Sequence, residues 1–266
     1  MNWGSNCLIG TPNRITLTKT GKLAAEKATA LLQANQQFIT EIKNYAQNQQ
    51  VLKIASVAPG PQIVLEQNLQ KFNANIDIDE ALLDQNNVEK NLLNRKYSAI
   101  ITNREIQTTQ IESRFIGEEN LYVNLDQFMY LANQRQVTFK ELVGLSFVVL
   151  NDIGPWKTII QENIPDAKFL YQTEYDALSE LTKYTSFPFF TTNVTQPNNT
   201  YDTTDTVALP ITDRSATMTF YVTYLKSQRK TIAPLAKRLT SIWSEGKKWF
   251  LWMWKYFYIQ LNFQKV

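Results

Sequence analysis

Chemistry in this chain has to be done without histidine. None occurs among the 266 residues, and Cys7 is the one cysteine. That removes the commonest general base, the commonest metal ligand and every Ser-His-Asp or Cys-His arrangement. A single cysteine also excludes an intrachain disulfide and a cysteine-cluster metal site, and fits a reducing compartment. The sequence has no phosphate-loop or dinucleotide glycine pattern and no convincing carboxylate pair, so it reads as a non-enzyme with no metal and no cofactor. What remains are small polar residues at the ends of apolar segments: Ser56, Thr102, Asn103, Asn151 and Thr191, with Trp156 and Phe187 beside them. Such groups bind rather than react: hydroxyls and amides orient a small molecule and aromatic rings wall it in. Ser56 precedes a helix start, so its hydroxyl and the amides that follow suit a carboxylate or other anion. Ser56 also reads as a helix cap, Asn103 and Asn151 as turn residues, and Trp156 as ordinary core. Asp152 and Glu174 are the charged residues plainly in these loops, and they leave the charge of a ligand undetermined.

The elements that must position these residues alternate in type. Val51–Val57 reads as a buried strand, and Pro59-Gly60-Pro61 turns the chain into a helix carrying Ile63, Val64, Leu69 and Phe72. Ile76–Glu80 and Tyr97–Ile101 are further strands, with a helix at Val88, Leu92 and Leu93 between them. Phe115–Leu125 carries the chain to a second lobe, where the pattern repeats: strands at Leu145–Leu150, Lys168–Gln172 and Phe187–Thr192, helices from Gly154 and over Tyr175–Tyr184. Val207–Pro210 and Thr217–Tyr224 are returning strands, and Thr231–Glu245 is a closing helix. Strands alternating with helices at this spacing predict largely parallel sheets covered by helices. Open sheets of that kind take ligands in the crevice at the carboxyl ends of their strands, where Ser56, Thr102, Asn103, Asn151, Trp156 and Thr191 fall.

The N-terminal part is organised differently. Asn13-Arg14-Ile15-Thr16-Leu17-Thr18 alternates like a half-exposed strand, and Thr18 or Thr20 can cap a long helix after it. Gly21 weakens the first turn without stopping the helix. Ala24, Ala28, Leu31, Asn35, Phe38, Ile42 and Tyr45 recur in steps of four and three, a heptad seam with one polar member. Periodicity alone allows either a dimer helix or a helix packed on its own domain.

The arm, the phrase Leu17-Thr18-Lys19-Thr20-Gly21 and the long helix resemble the wing and linker helix of LysR-type transcriptional regulators, and the order of elements to about Glu245 resembles that family's effector-binding domain. The resemblance implies a two-lobed α/β domain of the type II periplasmic-binding-protein kind behind a long linker helix. It implies residues 1–17 as a remnant of a winged helix-turn-helix, 18–50 as the dimerisation helix and 51–246 as the sensor. Lobe one would take about 51–125 and 205–246, lobe two about 126–204. It places effector contacts in the loops that hold Ser56, Thr102, Asn103, Asn151, Trp156, Phe187 and Thr191. Dimer contacts fall at Leu31, Asn35, Phe38 and Ile42, and DNA contacts at Asn13, Arg14 and Thr16. Trp3-Gly4-Ser5-Asn6-Cys7-Leu8 resembles, loosely, the family phrase that joins recognition helix to wing, with Gly10 where the family usually has Arg. Ten residues before the arm cannot build a helix-turn-helix. DNA binding is therefore expected only where a partner or longer chain supplies the head.

Charged residues make up 19% of the chain and balance to +3. The basic cluster at Lys226, Arg229, Lys230, Lys237, Arg238, Lys247 and Lys248 reads as a solvated helix face. The N-terminus has no charged-then-apolar signal pattern and no segment is apolar enough to span a bilayer, which predicts a cytoplasmic protein. Residues 247–266 depart from the family. Seven of the ten residues from Trp249 to Tyr258 are aromatic, suiting a partner surface or, through Trp and Tyr flanked by lysines, a membrane interface. The expected partners are a small-molecule effector and a second copy of the chain. The alternatives are a two-lobed small-molecule-binding protein without regulatory output, or a non-functional gene remnant.

Overall fold

The computed structural model describes residues 6–11, 14–48, 51–196 and 205–245. The chain opens on an antiparallel hairpin, β1 (Leu8–Thr11) with β2 (Arg14–Leu17), in which Leu8 pairs with Leu17 and Gly10 with Ile15. Thr18 joins it to the helix α1 (Lys19–Asn48). Its N–H donates to the Cys7 carbonyl at 3.0 Å and its hydroxyl accepts from the Gly21 N–H at 2.9 Å, so Thr18 rather than Thr20 caps the helix. Gly21 is buried where a Cβ would overlap the Cys7 carbonyl. The residue that weakens the first turn is there because the hairpin backbone crosses it.

α1 is 30 residues, about 45 Å of helix. It touches the following domain near its C-terminal end, where the Asn44 amide donates to the Asn94 carbonyl at 2.9 Å and the Arg95 guanidinium lies 5.0 Å from the Tyr45 ring centre. Further back its seam is bare: Leu31, Phe38 and Ile42 are 71%, 63% and 55% exposed, and Asn35 is exposed beside them.

The domain is built on strands β3 (Leu52–Ser56), β4 (Ile76–Ile78), β5 (Ala99–Thr102), β6 (Ile111–Asp126), β7 (Ser146–Leu150), β8 (Lys168–Gln172), β9 (Phe189–Thr192), β10 (Thr206–Pro210) and β11 (Thr217–Leu225). β4, β3 and β5 are parallel, and β11 closes them antiparallel to β5. β9, β7 and β8 form the corresponding parallel set in the second lobe. β6 belongs to both. Its 16 residues pair with β11 from Ile111 to Asn120, then with β9 and β10 from Leu121 to Asp126. β10 and β11 bring the chain back between the same lobes.

The helices α2 (Pro59–Glu66), α3 (Val88–Leu93), α4 (Pro155–Asn163) and α5 (Tyr175–Tyr184) cover these sheets, and residues 229–245 form α6. α2 stops earlier than its apolar pattern predicts. The Asn68 side chain donates to the Val64 carbonyl at 2.7 Å, taking up the helix end, and a 3-10 turn at Leu69–Lys71 leaves Leu69 on the surface. α6 docks on β6 where the β6–β11 register slips, with the Trp243 ring against Gly117 and its N–H donating to the Glu118 carbonyl at 2.9 Å. No helix of the described residues is long and apolar enough to cross a membrane. Asn13 and the aromatic tail lie outside the described residues.

Candidate functional site

β6 passes from one lobe to the other at Glu119. Glu119 shares a face with Leu121, Val123 and Leu125, because strand side chains alternate, and all four are buried. Beside it lies a cavity of about 190 Å³. Its walls come from both lobes: Pro59 and Ile63 of α2 on one side, Val148, Ile153, Leu178 and Phe190 on the other. The loops that start α2 and α4 meet over it. Gly154, at φ +57°, lies against the backbone of Val57 and Ala58, a contact that a side chain would break.

Glu119 is 1% exposed and has neutral partners only among the described residues. The Trp156 indole N–H donates to its carboxyl at 3.4 Å, and the Thr192 hydroxyl donates as well. Loss of water dominates these two bonds and pushes its pKa up to about 7. The carboxyl rests on Gly60, where a Cβ would overlap it. The chain thus places an anion-forming group of its own at the start of α2. That helix start is poor in donors, since Pro59 and Pro61 have no N–H.

Of the residues expected from the sequence to touch a ligand, the structure brings Trp156 and Thr191 to the cavity wall. Thr191 also accepts a hydrogen bond from the Asn124 amide at 2.7 Å. The others lie outside that wall. Ser56 is buried and turned on its own backbone, donating to the Ala58 carbonyl at 2.7 Å and accepting from the Ala58 N–H at 3.2 Å. The Thr102 hydroxyl is locked with Thr223 at 2.7 Å and donates to the Arg104 carbonyl, and Asn103 follows it half-buried. Asn151 is exposed and accepts from the Lys157 ammonium, and Phe187 sits on the surface ahead of β9. At the hairpin, the Thr16 hydroxyl donates to the Ile9 carbonyl at 3.4 Å, and Arg14 lies in β2.

Glu119 was not among the sequence candidates, nor were Ile63, Leu121, Val148, Leu178 and Phe190 of the wall. A signal for Glu119 existed: an acid in phase with Leu121, Val123 and Leu125 on a strand is either paired or placed for use. Among the described residues no group of three acidic, cysteine or histidine side chains could hold a metal.

This arrangement is the mixed α/β fold of the effector-binding domains of LysR-type regulators, the type II periplasmic-binding-protein architecture, preceded here by a long helix. The chain is similar to the reduced regulatory domain of OxyR from Pseudomonas aeruginosa, at 14% identity and a TM-score of 0.57, covering 71% of this chain and 97% of that one. A full-length OxyR variant from the same organism aligns over 89% of this chain and 80% of its own, at 16% identity and a TM-score of 0.56. The regulatory domain of MetR, a LysR family regulator from N. meningitidis, aligns at 12% identity and a TM-score of 0.53, over 72% of this chain and 93% of that one. No protein-family model and no curated protein sequence matches this chain.

Proposed function

We propose that this chain is the sensing and dimerising part of a LysR-type transcriptional regulator that acts in the cytoplasm, with no catalytic role. The observation that carries the reading is the bare seam of α1 attached to a domain with that family's sensor fold. Leu31, Phe38 and Ile42 are large apolar side chains more than half exposed on one helix. A second α1 packed at heptad spacing buries them, with Asn35 setting register. The cavity between the lobes supplies the other half of a sensor. A ligand touching both lobes binds the closed arrangement better than an open one, and that difference in affinity drives the change passed to α1.

By the family resemblance, DNA contact falls to the β1–β2 segment, with Asn13, Arg14 and Thr16 assigned to backbone phosphates. Base reading needs a helix in the groove, supplied by a partner or a longer chain. Residues 51–245 contain no cysteine, so the domain itself has no thiol to oxidise.

Light scattering on the full chain and on a deletion of residues 1–50 tests the reading. A dimer that becomes a monomer on deletion is expected. Monomers in both cases would mean the seam pairs with nothing, leaving a two-lobed binding protein without regulatory output as the better description.

A further inference from the structure

We propose that the cavity between the lobes takes a small, largely apolar primary amine, with its ammonium seated on the Glu119 carboxylate. The inference rests on the sensor reading of the cleft and adds the chemical class of its ligand.

Four observations converge on a cation. The first is the charge of the wall, which among the described residues holds two acids, Glu119 at the floor and Asp152 at the exposed rim, and no Lys or Arg. Second, Glu119 is 1% exposed yet among the described residues has no cationic partner, only Trp156 and Thr192. A buried carboxylate normally comes with a counter-charge, and Glu119 belongs to the cavity wall. Third, the start of α2 offers an incoming anion little, because Pro59 and Pro61 remove two donors and the Glu119 carboxyl already lies on Gly60. A carboxylate ligand would bring like charge into a dry site. Fourth, the rest of the wall is mostly apolar, with Leu121, Val148, Ile153, Leu178 and Phe190 beside Thr191, Thr192 and Thr195.

Size narrows the class further. The cavity is about 190 Å³, against roughly 150 Å³ for an apolar cavity that holds benzene. A single ring or a short alkyl chain carrying one amino group fits that space.

Binding exchanges a proton for an ammonium. Glu119 titrates near pH 7, so below that pH the proton occupies the seat and above it the seat is open. Its surroundings do not blur that titration. Gly60 of α2, Trp156 of α4, Thr192 of β9 and the strand partner Met218 of β11 carry no charge, and Asp152 is the other ionisable group of the wall.

Calorimetry on the full chain tests the proposal with matched probes: benzylamine, benzyl alcohol and benzoate, then hexylamine, hexanol and hexanoate. The amines are expected to bind at least tenfold tighter than their neutral and anionic partners. Their affinity should rise about tenfold from pH 6 to pH 8, as the ionised fraction of a group titrating near 7 does, with release of a proton. Glu119→Gln should remove both the preference and the pH dependence while leaving the fold intact by circular dichroism. Tighter binding of the carboxylates would overturn the amine assignment and leave the ligand-sensing cleft standing. Amine binding unaltered by Glu119→Gln would also overturn it. If no probe binds at all, the amine assignment falls together with the cleft as a ligand site.

Discussion

Two glutamates seven positions apart on β6 are both little exposed and have opposite fates. Glu112 is 6% exposed and Glu119 is 1% exposed. Glu112 accepts a two-pronged hydrogen bond from the Arg229 guanidinium of α6, which holds its pKa down to about 2, against a smaller desolvation effect. Glu119 meets an indole, a hydroxyl and a glycine, and desolvation takes its pKa the other way, to about 7. Depth of burial and the availability of a counter-charge together decide the charge of a carboxyl: Glu119 lies deep with none, Glu112 near the surface with one. The paired glutamate fastens α6 to the lobe. The unpaired one lies beside a cavity at the crossing between lobes. That contrast separates a structural acid from a candidate site without any appeal to relatives.

The contrast breaks most visibly in the pH dependence of stability. Raising a carboxyl's folded pKa makes the protein lose stability as pH climbs from its unfolded value through its folded one. For Glu119 the interval from 4.5 to about 7 corresponds to roughly 3 kcal/mol. Glu119→Gln is accordingly expected to be more stable than the parent at pH 8 by about that amount, with the gain shrinking to nothing near pH 4.5, in urea melts across the range.

Gly60→Ala sharpens the geometry of the same site. The new Cβ overlaps the Glu119 carboxyl, so the substitution is expected to cost about 1–3 kcal/mol. In the double variant with Glu119→Ala that cost should largely disappear, because the clashing atoms are gone.

Glu112 should show the reverse sign. Its depressed pKa contributes stability that is present above the ordinary carboxylate range and is lost as pH falls through about 2. Glu112→Gln is expected to destabilise at pH 7 and to match the parent at the acid limit. The loss should be smaller than the Glu119 gain, since the Arg229 side chain is 56% exposed and water screens the pair. The smallest effect expected is from Trp156→Phe. Without the indole donor, Glu119 should titrate higher by up to about one pH unit, followed by the carboxyl carbon resonance in NMR.

Much of the architecture was legible because it is local. The steps of four and three from Ala24 to Tyr45 mark α1 without reference to any other residue, and the continuous apolar runs mark β3, β5 and β7. The cap was half legible: Thr18 and Thr20 are equivalent by type, and the Cys7 carbonyl and Gly21 N–H choose between them. The site was the least legible part. Ser56, Thr102 and Asn151 stand at strand ends as a binding loop requires, yet Ser56 and Thr102 are turned to nearby partners and Asn151 lies exposed beside Lys157. Glu119 sits inside a strand, where no loop rule looks.

The sequence by itself determined the alternation of strands and helices, the long N-terminal helix with its apolar seam, and the absence of histidine and thiol-cluster chemistry. Periodicity, propensity and composition are properties of a residue and its near neighbours, and a single chain carries them in full. Only the tertiary structure decided which buried glutamate has a guanidinium and which has none. Arg229 is 117 positions from Glu112, and Trp156 is 37 from Glu119. A counter-charge is a matter of distance in space, and folding alone sets that distance.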